Sequence, residues 1–224
     1  MRTAQREAPD LGHLYRETRE RLASLVCSLD DAALNAWVPA CPRWSVRDVV
    51  CHLVANMEDA AAGVLTIPPS DEDTAAQVAR YKGRDLAEIL RTWAALAPPL
   101  ERAIAEFGVW PAVIDIASHE QDIRGALGRP GARDTAAIWH GADWLLTGLR
   151  TPVPLRVEVE EAEFRAGPGG GPGLGLATSR FEAFRWRMGR RSRAQLAALD
   201  WSGDPAPVLD HLAIFGPASR EIIE

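Results

Sequence analysis

Trp44-Ser45-Val46-Arg47-Asp48-Val49-Val50-Cys51-His52-Leu53 is the stretch on which the reading of this chain turns. Ser45 has the short acceptor side chain of a helix N-cap. Asp48 stands three residues on, where a carboxylate can reach back in a capping-box-like start. Val46, Val49, Val50, Leu53, Met57 and Val64 then recur at helical spacing. The stretch therefore opens a helix, expected to run to about Leu65, with an apolar stripe for a core. His52 lies on the same helix with Asp48, Asn56 and Asp59, a polar line that faces either solvent or a wet cavity inside a bundle.

Working outward, Leu11, Leu14, Tyr15, Thr18, Leu22, Leu25 and Val26 predict a helix over about 9–29. Residues 35–43 carry two prolines and read as an irregular connection. Ile67-Pro68-Pro69-Ser70 breaks the His52 helix. A short helix over 71–81 follows, then a longer one over 85–106 that Pro98-Pro99 should kink or split. Pro111 suits the first turn of the next helix, which reaches about Leu127 before Gly128-Arg129-Pro130-Gly131. One more helix covers 134–149.

The pattern changes after Pro154. Leu155-Arg156-Val157-Glu158-Val159-Glu160 alternates with period two, as a half-buried strand does. Residues 167–175 read as a glycine/proline loop, 179–199 as a helix, and 207–215 as a further short helix. The expectation is a mainly α protein: residues 1–150 as a helical bundle and 151–224 as a small α/β C-terminal domain.

Bulk properties narrow the classes. A hydrophobic content of 47% fills a real core, and a net charge of −6 argues against a general nucleic-acid binder. No apolar run reaches membrane-spanning length, and the N-terminal residues lack a signal-peptide core, so a cytoplasmic protein without membrane partners is expected. Cys27, Cys41 and Cys51 form no CxxC motif, which makes a disulfide framework improbable. Cys51 beside His52 reads better as a small buried residue than as a nucleophile, because adjacent helical residues point about 100° apart.

Asp115 and His119, four apart in Asp115-Ile116-Ala117-Ser118-His119-Glu120-Gln121-Asp122, share one helix face. A third donor from a facing helix would complete a three-ligand metal site with one position open, the pattern of catalytic rather than structural zinc. The plainer account is a surface helix pair contributing about 0.2–0.5 kcal/mol. The apolar setting of Val113-Ile114-Asp115-Ile116-Ala117 favours a buried carboxylate that needs a cation or donors. Asp122 can hold the second ring nitrogen of His119, or pair with Arg124 or Arg129 at the surface. Glu120 and Gln121 read as solvated, and His13, His140 and His211 lack matching partners. The cluster Arg185, Arg187, Arg190, Arg191 and Arg193 reads as a solvated face. Its alternative is an anion-binding wall, with Arg190 and Arg191 as substrate-binding candidates.

The His52 stretch, the segment from Asp115 to Gly128, and the later Gly189-Arg190-Arg191-Ser192-Arg193-Ala194-Gln195 and Trp201-Ser202-Gly203-Asp204 together resemble an actinobacterial family. It is the family with the DinB-like domain of mycothiol-dependent maleylpyruvate isomerase. The resemblance implies a DinB-like up-down four-helix bundle and a divalent metal, usually zinc. Carried over, the ligands are His52, Asp115 and His119, with Asp where the family pattern has Glu. The resemblance further implies mycothiol as cosubstrate. Its thiolate can add to an activated double bond, permit rotation and leave, or displace a leaving group. The expected function is thus a metal- and mycothiol-dependent isomerase or S-transferase acting on a small electrophile, as a monomer or homodimer. The alternatives are a non-catalytic metal- or ligand-binding bundle with a regulatory or structural role, and a metal-free bundle.

Overall fold

The computed structural model describes residues 8–169 and 173–224. Contacts divide it into two compact units, one of residues 8–36 with Trp44–Ala117, the other of Trp37–Arg43 with Ser118–Glu224. The fold is mainly α with a small C-terminal sheet, as expected.

The first unit begins with α1 (Leu11–Cys27), whose first turn is capped by the Asp10 carboxylate, and the short α2 (Asp31–Leu34). Helix α3 (Val46–Ala61) carries His52 and opens with the expected capping box: Ser45 Oγ accepts from the Asp48 amide, and the Asp48 carboxylate accepts from the Ser45 amide. It stops earlier than expected. The amides of Val64 and Leu65 both fold back onto the Asp59 carbonyl, and Val64 is exposed rather than part of the core stripe. Helix α4 (Asp71–Arg80) follows, with a second capping box from Ser70 and Asp73. Helix α5 (Leu86–Phe107) runs unbroken through Pro98 and Pro99 instead of splitting there.

Packing explains that continuity. α5 buries Ile89, Trp93, Ala97 and Ile104, and lies against both α1 and α3. α1 approaches so closely that a Cβ on Gly12 would stand 2.2 Å from the Glu101 carbonyl oxygen, so only glycine fits. The buried Glu101 carboxylate is held by Arg16 and Arg19 at 2.9 and 3.0 Å. Helix α6 (Trp110–Ala126) has Pro111 in its first turn, as read from the sequence.

The boundary between the compact units falls inside α6. Helix α7 (Ala136–Thr147) therefore groups with the C-terminal elements. The physical reason is shared apolar surface: Leu146 and Leu149 belong to one cluster with Leu155, Val157, Leu176, Trp186, Leu196 and Leu212.

In the second unit, β1 (Leu155–Val159) and β2 (Ala162–Ala166) form an antiparallel hairpin. β1 pairs in parallel with β3 (Leu174–Ala177), which pairs antiparallel with β4 (Asp200–Trp201), giving the order β2-β1-β3-β4. The alternation read at 155–160 is that of β1, with Leu155 and Val157 buried. Of the expected 167–175 loop, residues 170–172 lie outside the described residues, and Gly175 belongs to β3. The expected helix over 179–199 is two, α8 (Arg180–Arg187) and α9 (Arg193–Ala197). Gly189 separates them at φ +73°, where a Cβ would come within 2.7 Å of the Gly216 carbonyl oxygen. The segment 207–215 contains only a 3₁₀ turn, Leu209–His211.

Most of the arginine cluster is not a solvated face, although Arg193 is exposed. Arg185, Arg187 and Arg191 are buried, each with its own partners. The Arg191 guanidinium grips Glu182 in bidentate fashion at 2.6 and 2.8 Å. Arg187 donates to the carbonyls of Leu145 and Leu212, and burial without a neutralising charge pulls its pKa down to about 10. Phe184 and Trp186, flanking Arg185, were the sequence signal for this burial. Glu120 and Gln121, read as solvated, are buried as well; Glu120 pairs with Arg124 at 3.0 Å, and Gln121 donates to the carbonyls of Gly131 and Ala132.

Candidate metal centre

Two histidines on two helices organise the site, each fixed through its Nδ1. On α3, His52 is buried, with the Trp44 ring tilted 37° against its own at 4.8 Å between centroids. Its Nδ1 lies 2.9 Å from the side-chain oxygen of Gln77, a buried residue of α4. A carbonyl oxygen only accepts, so Nδ1 carries the proton and the Nε2 lone pair is the one presented. Nε2 receives a hydrogen bond from Asn56 Nδ2 at 3.2 Å, and the same nitrogen donates to Asp115 Oδ2 at 3.2 Å. The polar line read on α3 thus faces inward from His52 to Asp59, while Asp48 caps the helix. Nothing in the sequence pointed to Gln77, because the α4 pattern is polar all round.

On α6, His119 stands one turn beyond the half-buried Asp115. Its Nδ1 lies 3.0 Å from Asp122 Oδ2, the contact anticipated from the i,i+3 spacing. The carboxylate accepts, so Nδ1 is protonated here too and Nε2 is the presented donor atom. Asp122 is fully enclosed and pairs with neither Arg124 nor Arg129. Arg185 reaches Oδ1 at 2.7 Å and Arg190 reaches Oδ2 at 2.8 Å. Burial alone would push the Asp122 pKa up. The guanidinium groups of Arg190 and Arg185, then His119, outweigh it and hold the carboxyl well below its ordinary range. Arg190 and Arg191, the anion-wall candidates, are thus both turned onto carboxylates of this chain.

One ligand-capable atom from each of His52, Asp115 and His119 falls within 4.8 Å of the other two. Two neutral imidazoles and a carboxylate suit a divalent ion of borderline softness, and three protein donors leave a coordination position for a guest. A second group, Cys41, His119 and Asp122, meets the same spacing, with Cys41 Sγ at 3.5 Å from Asp122 and 3.8 Å from His119 Nδ1. It fits a cation poorly, because Asp122 already faces two guanidinium groups and His119 Nδ1 is a donor there. Cys51 takes no part: burial pushes its thiol up to about 11, so it stays protonated. His13, His140 and His211 belong to neither group.

Histidine and carboxylate side chains on separate helices, followed by a small sheet, define a mainly α protein with a candidate metal centre. Residues 15–144 match the family described as mycothiol maleylpyruvate isomerase N-terminal domain. That match spans more than half of the chain, and the chain belongs to this family. Two solved structures share the fold. One is the mycothiol-dependent maleylpyruvate isomerase, with a TM-score of 0.52 and 15% identity, over 84% of this chain and 92% of that one. The other is a histidine-to-alanine mutant of such an isomerase, with a TM-score of 0.58 and 14% identity over the same shares. No curated protein matches the sequence. No helix among the described residues is long and apolar enough to cross a membrane.

Proposed function

We propose that this chain is a metal- and thiol-dependent enzyme, an isomerase or S-transferase acting on a small electrophile with mycothiol as the thiol. Family membership supports the thiol, as do solved neighbours that are named mycothiol-dependent maleylpyruvate isomerases. The observation that carries the reading is the approach of His52, Asp115 and His119 to within 4.8 Å of one another. These three would hold the ion, zinc by preference, within the helical domain of residues 1–150. When bound, the ion supplies Lewis acidity that brings a thiol's pKa toward neutrality.

The chain's own residues do the rest. Gln77 and Asp122 each accept the Nδ1 proton of a histidine and turn its Nε2 lone pair toward the ligand position. Arg185 and Arg190 keep Asp122 ionised. In this reading Arg190 and Arg191 serve as braces for buried carboxylates, and a substrate anion would have to compete with Asp122 or Glu182 for them. Asp115 in place of the family's Glu is one methylene shorter, so a carboxylate that would hold the ion stays closer to the α6 backbone. A reducing cytoplasm, with the protein as monomer or homodimer, suits a thiol cosubstrate.

The test is metal content, followed by spectroscopy. Protein purified without chelator should carry a divalent ion near one per chain. Cobalt-loaded protein should gain a thiolate charge-transfer band on titration with mycothiol. A protein that binds ion but shows no spectral change at saturating thiol is a metal-binding bundle without the thiol chemistry. Protein without stoichiometric zinc, nickel or iron removes both readings.

A further inference from the structure

We propose that Gln77 is a positioning residue that sets the tautomer of His52, driven by the ion pair of Asp59 and Arg80 behind it. The argument is one of hydrogen-bond direction. Asp59 Oδ1 accepts from Arg80 at 2.8 Å, and a carboxylate so paired offers only acceptors. Its other oxygen lies 2.8 Å from Gln77 Nε2. An acceptor there forces the glutamine to present its nitrogen to Asp59, and so its oxygen to His52 Nδ1 at 2.9 Å. The oxygen accepts, so the His52 proton sits on Nδ1 and Nε2 keeps its lone pair.

The same amide has one more hydrogen. It goes to Asn56 Oδ1 at 2.8 Å, and that fixes the Asn56 amide the other way round. Asn56 Nδ2 is thereby aimed at His52 Nε2 and Asp115 Oδ2, both at 3.2 Å. A single buried glutamine on α4 thus orients two side chains of α3, and every link from Arg80 to Asp115 lies in the first compact unit. Through it, a surface-facing ion pair determines which ring nitrogen of His52 is a lone-pair donor. The role rests on the proposed metal reading for its consequence, but the tautomer itself does not need a metal.

The test uses the full chain, metal-stripped and labelled with nitrogen-15, with long-range proton–nitrogen correlations of the imidazoles and His52→Ala to assign the signal. The wild-type spectrum should show His52 protonated at Nδ1. Gln77→Ala, and separately Asp59→Asn, which lets the Gln77 amide turn over, should shift His52 toward the Nε2-protonated form. Zinc affinity, read by competition with a chromophoric chelator, should fall about 10- to 100-fold in both variants. The double variant D59N/Q77E exchanges the amide and the carboxylate, keeps an acceptor on His52 Nδ1, and should restore the Nδ1-protonated tautomer, although it loses the donor to Asn56 Oδ1. An unchanged tautomer in Gln77→Ala and Asp59→Asn overturns the proposal. So does a His52 that stays Nε2-protonated in the double variant, where an acceptor again faces Nδ1. A tautomer shift in the two variants, with a wild-type chain that binds no zinc, overturns the metal reading and leaves the relay standing.

Discussion

His52 and His119 are oriented by the same device and anchored in opposite ways. Behind His52 stands a neutral amide, Gln77, with its ion pair one step further back at Asp59 and Arg80. Behind His119 stands a carboxylate, Asp122, clamped directly by Arg185 and Arg190. The difference teaches how a chain can fix two imidazoles without giving them the same basicity. An amide acceptor sets direction and adds no charge. A carboxylate sets direction and also raises the electron density of the ring, which would make it the stronger donor to a bound cation. The buried charge on the His119 side is stable only because two cations share its enclosure.

That contrast can be broken or sharpened by experiment. The largest effect belongs to the ligand itself: His119→Ala should abolish stoichiometric metal binding, whereas His140→Ala should leave metal content unchanged. Equal metal in the two purified variants would remove the ligand assignment. Next comes the clamp. Asp122→Asn leaves Arg185 and Arg190 facing a neutral group in a buried site, and should cost about 3–5 kcal/mol of stability by denaturant unfolding.

The clamp also carries a pH signature. The folded pKa of Asp122 is depressed, so the unfolded chain binds the proton more readily. The stabilisation is therefore complete above the ordinary carboxylate range and is lost as pH falls through that range toward the depressed value. The stability gap between wild type and Asp122→Asn should narrow in acid. A gap that stays constant with pH would show that the carboxylate's charge is not what matters. On the neutral side the effects should be smaller. Gln77→Ala removes the acceptor at His52 Nδ1 and the donor to Asn56 Oδ1, and should cost about 1–3 kcal/mol, with no comparable acid dependence. Smallest is Ser45→Ala, which removes the α3 cap and should cost about 1 kcal/mol while leaving metal content intact. Loss of metal in that variant would mean that the start of α3 matters to His52 beyond capping.

Much of this was legible in the residues. The Ser45–Asp48 start, the apolar stripe of α3 as far as Met57 and the one-turn spacing of Asp115 and His119 are local patterns, and they came through. Asp122 was legible as a partner for His119 because three residues along a helix is a fixed distance. Its other partners were not. Arg185 and Arg190 are more than sixty residues away, and periodicity says which face a side chain takes, not what it meets there. The same gap hid Gln77 and led the arginine cluster to be read as solvated.

By itself the sequence determined the helices, their caps and the pairing of donors within one turn, because backbone geometry fixes those distances locally. Only the tertiary structure decided that Pro98 and Pro99 leave α5 whole, that α7 joins the C-terminal cluster, and that buried arginines find carboxylates. Those outcomes depend on which surfaces exclude water together. A charge or a proline is tolerated wherever distant segments supply the partner or the packing that offsets its cost.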